Sequence, residues 1–270
     1  MKLNTLRLNL SVRNIIIGTI LVLFQCCAPF SIQPPAPPLD HQKIAQIISE
    51  VKEQERRVNA FFSFGTLMVE GYYTDFEADV LIVGTRDPLK IKIEVTHSWG
   101  SPLYHILIKD TRLSILSFPE KRFYFGHLGS FDPSLNFFPL RLGPNQIWGL
   151  VRGYPVLREY DHAVSLKGNQ ITLRNSELEA VQIVELCQES ILPCLTAFPD
   201  QGIEVSFSDF ENDKGIYRAR NIRLDDPEIG AILALNLKKM VFNKSIPDAI
   251  FDLKKPSGFE LYPLQGAEGE

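Results

Sequence analysis

The strongest constraint on this 270-residue sequence is an alternation of apolar and polar side chains that recurs in short segments. It is cleanest in residues 89–95, where the apolar set is Leu89, Ile91, Ile93 and Val95 and the polar set is Lys90, Lys92 and Glu94. A period of two predicts a β-strand with one buried face and one face in water. Because turn residues separate such segments along most of the chain, consecutive strands are expected to pair antiparallel.

These patterns predict a mainly β (α+β) fold with a sheet of about eleven strands, drawn from twelve candidate segments. The segments are residues 62–69, 77–84, 89–96, 104–109, 112–117, 122–126, 163–166, 170–174, 180–186, 202–210, 216–224 and 232–242. A short helix is predicted near 145–151, between Gly143-Pro144 and Gly153. No fixed-period repeat or internal linker divides residues 40–264, so we expect one domain built on a single curved antiparallel sheet.

A longer amphipathic helix is predicted from about residue 41 to 59, with Asp40 as its N-cap. Its apolar stripe is made by Ile44, Ile47, Ile48 and Val51. Such a stripe must lie on an apolar surface. The helix either covers the sheet permanently or forms a movable lid over a cavity, and the pattern does not separate these alternatives.

The first 26 residues have the organisation of an export signal. Lys2, Arg7 and Arg13 are the only charged residues before Asp40, and a ten-residue apolar run follows at 15–24. A positive segment followed by a short apolar run is typical of a secretory signal peptide, and this run is too short to span a bilayer as a helix.

The apolar run ends at two cysteines, Cys26 and Cys27. This placement resembles a bacterial lipoprotein signal, in which a cysteine becomes the lipidated first residue. Either cysteine can be the anchor, and ordinary cleavage after Ala28 is the alternative. Residues 27–39 are rich in proline and predict a semi-rigid tether. Residues 265–270 are expected to form a flexible tail.

The other two cysteines, Cys187 and Cys194, are separated by six residues. In an exported protein such a pair indicates a disulfide that closes a short loop, with two buried thiols as the alternative. The five histidines show no metal-ligand spacing, so we expect no metal and no cofactor.

Charge and motifs argue against nucleic-acid binding and against catalysis. Lys and Arg total 28 against 32 Asp and Glu, whereas a nucleic-acid binder normally carries a basic surplus. The sequence contains no nucleophile elbow, phosphate-binding loop, dinucleotide fingerprint or zinc-protease motif. The sequence therefore predicts a protein that is not an enzyme.

Four segments, taken in order, resemble the LolA/LolB superfamily of bacterial lipoprotein-sorting proteins. They are residues 62–69 with Gly65, residues 87–93 with Pro88, residues 108–116 with a strand–Asp110–turn–strand step, and residues 243–260 with an Ile-Pro…Phe-x-Leu…Pro-x-Gly pattern. Thr111 stands where the family usually has glycine. The resemblance covers nearly all of residues 40–264.

The resemblance implies an open, incomplete β-barrel whose apolar inner face holds acyl chains under covering helices. The alternation then predicts which side chains point inward. Each of them either lines a cavity or is part of a packed core. They are Leu67, Val69, Leu81, Val83, Ile91, Ile93, Val95, Ile106, Ile108, Phe123, Phe125, Val205, Phe207 and Leu235.

LolB-like proteins also carry an exposed apolar residue in a loop that touches the membrane. Trp99 and Leu103, in the turn between two strongly patterned strands, are the candidates here, and a Trp99 folded back over the sheet edge is the alternative.

Together these patterns predict a lipid-anchored envelope protein that binds an acylated ligand, with a role in lipoprotein or lipid trafficking. Neither Cys27 nor Ala28 is Asp, which by the enterobacterial sorting rule implies the outer membrane, facing the periplasm. The alternative is a regulatory or structural module of the RseB-like type, which acts through an envelope protein partner.

Overall fold

The computed structural model describes residues 37–71, 75–129, 141–188, 190–228 and 230–264. Its helices are α1 (His41–Arg56), α2 (Pro144–Arg152) and the 3₁₀ turn Asp248–Phe251. Its strands are β1 (Ala60–Glu70), β2 (Phe76–Thr85), β3 (Lys90–Thr96), β4 (Pro102–Lys109), β5 (Arg112–Ser117), β6 (Arg122–His127), β7 (His162–Lys167), β8 (Gln170–Arg174), β9 (Ala180–Leu186), β10 (Pro193–Phe198), β11 (Ile203–Asp213), β12 (Ile216–Asp226), β13 (Ala231–Phe242) and β14 (Glu260–Pro263). The mainly β class is confirmed.

The strands form one unclosed, curved sheet. Its order is β14-β6-β5-β4-β3-β2-β1-β13-β12-β11-β10-β9-β8-β7. Two antiparallel meanders, β1–β6 and β7–β13, meet where β1 pairs with β13. A sheet with this many twisted strands curls, which gives it an inner and an outer face.

The sheet has 14 strands where about eleven were expected, two more than the twelve candidate segments. The missed strands are β10, which begins at a proline and resembles a turn, and β14, whose side chains are all exposed. β14 also pairs parallel to β6, so the expectation of a wholly antiparallel sheet is wrong at this edge.

α1 begins where the sequence indicates and ends three residues earlier than expected. The carboxylate of Asp40 accepts from the Lys43 backbone N–H at 2.7 Å. Beyond the helix, the Asn243 side chain donates to the Arg57 carbonyl oxygen at 2.8 Å and accepts from the Asn59 N–H at 2.9 Å. These bonds replace further helical turns and lead the chain into β1.

Three apolar clusters hold the fold together. The largest lies on the inner face of the sheet and includes α2. A second lies between α1 and the β7–β9 end. The third is on the outer face, where Phe251 and its neighbours in the C-terminal segment cover Val83 and Leu107. Both faces of β2 are therefore buried around Val83.

Candidate functional site

The inner face encloses a small apolar cavity beneath α2. Its volume is about 40 Å³. Its walls are Leu67, Val80, Ile82, Ile93, Val95, Ile106, Leu233 and Leu235 from the sheet and Ile147, Leu150 and Val151 from α2. Every side chain in this wall is apolar.

The structure divides the inward candidates into three groups. Those on the cavity wall are Leu67, Ile93, Val95, Ile106 and Leu235. Those buried in the same inner cluster, away from the wall, are Val69, Ile91, Ile108, Val205 and Phe207. The inner face of the sheet thus brings ten of the proposed residues together.

The remaining four candidates were assigned to the wrong face. On β2 the inner residues are Val80 and Ile82, while Val83 packs against the outer cluster and Leu81 is only partly buried. On β6 the inner residue is Tyr124, while Phe123 is partly buried and Phe125 is 38% exposed. Both strands carry consecutive apolar residues, so alternation alone does not define their inner face.

α2, expected near residues 145–151 as one of two helices that cover the half-barrel, is the element that covers the cavity. It starts after Gly143 and stops at Gly153, whose φ of 76° is a left-handed C-cap. A Cβ at Gly153 would lie 2.6 Å from the Ala219 carbonyl oxygen, and the Ala219 N–H donates to the Gly153 carbonyl at 2.7 Å. The end of α2 is thereby fixed against β12.

Trp148 anchors the middle of α2. The side chain is fully buried, and its ring centroid lies 5.0 Å from that of Phe61. A Cβ at Gly84 would lie 2.8 Å from Phe61 and 2.9 Å from Trp148, so only glycine leaves room for both rings. The sequence signal for this buried helix is an apolar run that begins after Gly143-Pro144 and ends at Gly153.

The two helices meet in a polar junction beside the cavity. Arg152 is fully buried and donates from Nη2 to the Gln54 carbonyl oxygen at 2.6 Å. Burial lowers the pKa of Arg152 to about 10. Arg86 bonds the Glu55 carboxylate with Nη2 and the Asn145 amide oxygen with Nη1, the latter at 2.6 Å. Arg86 therefore ties the first turn of α2 to the last turn of α1.

α1 does not lie over the cavity, which corrects the expectation of a lid helix there. Ile44, Ile47 and Val51 pack with Tyr154 and the β7–β9 strands, and Ile48 is partly buried against the same cluster. The side chain of Gln54 fixes the helix further, since it donates to Gly215 and accepts from Tyr217, both at 2.9 Å.

Trp99 and Leu103 occupy different environments. Trp99 is 74% exposed in the turn between β3 and β4, with its ring stacked on His97 at a centroid distance of 4.0 Å. Leu103 is partly buried and packs against the inner cluster. The turn thus exposes Trp99 and not Leu103.

Cys187 and Cys194 form a disulfide with their Cα atoms 5.1 Å apart. It closes the loop between β9 and β10. Cys26 and Cys27, the predicted anchors, lie outside the described residues.

Within the described residues, His, Cys, Asp and Glu side chains form no group of three that would hold a metal ion. Neither helix of that part of the chain is long and apolar enough to cross a bilayer.

No family model and no curated protein matches the sequence, but solved structures resemble the fold. One is a domain from Vibrio parahaemolyticus that is described as a proposed outer membrane lipoprotein-sorting protein. It has a TM-score of 0.52 and 11% identity, and the match covers 79% of this chain and 97% of that one. A DUF1329 family protein from Desulfovibrio piger has a TM-score of 0.51 and 10% identity, covering 77% and 97%.

A LolA superfamily protein from Nitrosomonas europaea has a TM-score of 0.50 and 15% identity, covering 78% of this chain and 97% of that one. At such identities the likeness concerns the fold. The chain therefore has the open, curved-sheet fold found in LolA-superfamily and lipoprotein-sorting structures.

Proposed function

We propose that this protein binds an acyl chain of a lipid or lipoprotein inside its open half-barrel and carries out no chemical step. The observation that carries the proposal is the cavity wall, which is made entirely of apolar side chains from the sheet and α2. Burial contributes about 0.8 kcal/mol for each methylene removed from water, so a long chain binds without any polar contact.

Binding requires α2 to move. A cavity of about 40 Å³ does not accommodate an acyl chain while Ile147, Leu150 and Val151 fill the space above the sheet. α2 has only nine residues, and its first turn is tied to the rest of the molecule by the bonds of Arg86. Displacing α2 exchanges its apolar contacts with the inner face for those of the ligand.

The proposed setting is the bacterial envelope, with Cys26 or Cys27 carrying a lipid anchor in the outer membrane. The proline-rich tether then holds the half-barrel near the membrane, on the periplasmic side. Trp99 is exposed at a hairpin tip, and an indole at such a tip favours the membrane interface. Donation or receipt of the ligand involves the membrane or an envelope protein partner.

Native mass spectrometry of protein purified from bacterial membranes tests the proposal. We expect adducts with the masses of lipids, and uptake of added dodecanoate by the delipidated protein. The variant Ile93→Phe fills the cavity wall and is expected to lose both. Leu81→Phe, a similar enlargement on the outer face of the neighbouring strand, is the control. A wild-type protein that binds no lipid in either assay overturns the proposal.

A second candidate is the regulatory module that acts through protein contacts. The nearly filled interior favours it, because such a protein needs no vacant cavity. β1 also exposes three large apolar side chains on the outer face: Phe62, Phe64 and Met68, which are 42%, 39% and 39% exposed. Crosslinking in the envelope that captures one stable protein partner, together with adduct-free native spectra, would establish this function instead.

A further inference from the structure

Within the ranges that the structure describes, three nitrogen atoms on one side of α2 are buried without a hydrogen-bond acceptor. They are Nε1 of Trp148 and both Nε and Nη1 of Arg152. Each side chain has 0% of its surface exposed. An unsatisfied buried donor costs about 1–3 kcal/mol, and more when it is charged, so such groups in a folded protein call for an explanation.

Among the residues that the structure describes, the charge of Arg152 meets the face of the Tyr154 ring, 5.1 Å from its centroid, but no carboxylate of its own. Within the described residues its one hydrogen bond is to the neutral carbonyl of Gln54, and it forms no ion pair. The nearby carboxylate of Glu55 is already bonded to Arg86, whose positive charge also acts on Arg152. In the described part of the chain, the junction between the helices thus holds one net positive charge, buried and without a counter-ion.

These donors belong to the helix that covers the cavity. Trp148 and Arg152 are four residues apart, so they project from the same side of α2. Each follows a residue of the cavity wall in sequence, since Ile147 and Val151 line the cavity. The Gly153 end of α2 is fixed against β12, whereas its first turn is held by the bonds of Arg86. A ligand whose tail enters beneath a lifted first turn would bring its polar end to the junction at the fixed end.

We propose that Arg152 and Trp148 form the headgroup site of the half-barrel and bind the carboxylate of a single-chain lipid whose tail occupies the apolar interior. The inference rests on the proposed acyl binding and adds the class of headgroup to it. A carboxylate supplies both the missing negative charge and the missing acceptor atoms, whereas a buried water molecule supplies acceptors alone.

Calorimetric titration of the full chain distinguishes a carboxylate-binding site from a site that a water molecule fills. Dodecanoate is expected to bind about tenfold more tightly than methyl dodecanoate, because only the carboxylate supplies a negative charge that pairs with Arg152. Arg152→Met is expected to remove this preference and to retain binding of the ester. Arg218→Met is the matched control, since it removes a buried arginine that is already bonded to Glu211 and Leu237.

Trp148→Phe provides a second test, whose result stands even if the Arg152→Met variant does not fold. It deletes one donor and keeps an aromatic ring, and we expect the acid-to-ester preference to fall severalfold.

Equal binding of acid and ester by the wild type, or a preference that both variants keep, overturns the headgroup site while acyl binding stands. Saturable binding of acetate alone would show a site for free anions and overturn the lipid assignment. Failure of both lipids to bind the wild type refutes acyl binding itself.

Discussion

Arg86 Nη1 donates to Asn145 Oδ1 at 2.6 Å, which links the turn after β2 to the first turn of the cavity-covering helix. The same guanidinium bonds Glu55 at the end of α1. One side chain therefore connects both helices to the sheet, and it is the contact through which we expect α2 to be held closed.

Replacing Arg86 by methionine should loosen α2. Loss of its charged hydrogen bonds is expected to lower the free energy of unfolding by about 1–3 kcal/mol, measured by urea denaturation. In a Trp99→Phe background, where Trp148 is the only tryptophan, acrylamide should quench emission more strongly than in the parent. Arg112→Met, at an exposed position on β5, is the control. Unchanged quenching would show that Arg86 does not hold α2.

Gly65→Ala should destabilise the seam between the two meanders. A Cβ at Gly65 would lie 2.1 Å from the Asn236 carbonyl oxygen, at the point where the β1–β13 register shifts. Since the obstacle is backbone, the strands must separate, and we expect a loss of about 1–3 kcal/mol in urea denaturation. Gly100→Ala meets no atom within 4 Å and carries only the strain of its φ of 93°, about 1 kcal/mol. A smaller effect at Gly65 than at Gly100 would contradict this packing.

Opening the Cys187–Cys194 disulfide should lower stability by about 2–3 kcal/mol, the entropy expected for closing a short loop in the unfolded chain. The double change to serine tests this by denaturation with and without reductant. The reductant should shift the wild-type transition and leave that of the variant in place. An intact bond also appears as a two-dalton difference in mass between the oxidised and reduced wild type.

Tyr154 should ionise only above the usual range for tyrosine. Burial raises the pKa of its phenol above the ordinary 10.0, although the charge of Arg152 opposes the shift. Because the folded pKa exceeds the unfolded one, its contribution to stability is complete below pH 10 and is lost as the pH rises toward the folded value. Between pH 9 and about pH 11, Tyr154→Phe should leave the rise in absorbance at 295 nm unchanged while the protein is folded. A smaller rise in the variant would show that Tyr154 titrates normally.

Trp99→Glu should weaken binding to phospholipid vesicles in protein whose Cys26 and Cys27 are changed to serine, which removes the proposed lipid anchor. A carboxylate at the tip disfavours entry into the interface that an indole prefers. Co-sedimentation with vesicles measures the effect. Leu166→Glu, at an exposed position on β7, provides the comparison. Equal binding by the Trp99 variant and its parent would exclude insertion of this tip.

The sequence predicted the sheet best where one face is buried and the other is wet. In β3, Ile91, Ile93 and Val95 alternate with charged residues, and the structure buries that face. In β2 the outer residue Val83 is also buried, because the C-terminal Phe251 packs over it. No local pattern reveals such a distant cover, so the inner face of β2 was assigned one residue out of register.

The candidate site was predicted less well than the fold. The long amphipathic stripe of α1 suggested a lid, yet Ile44 and Ile47 belong to a separate cluster at the β7–β9 end. The cavity is covered instead by Ile147, Leu150 and Val151 of a nine-residue helix. The long connection between β6 and β7 determines which helix reaches the inner face. The periodicity of a helix does not predict the path of such a connection.

The seam between β1 and β13 has a consequence for how the chain folds. Phe61 pairs with Phe242, so the two strands at the centre of the sheet come from opposite ends of the sequence. Each meander can form from neighbouring hairpins, but the seam closes only after a very long loop has been ordered, a step that slows folding. Until the seam forms, β1 and β13 each present an unpaired edge. The chain is therefore most prone to aggregate before these two strands pair.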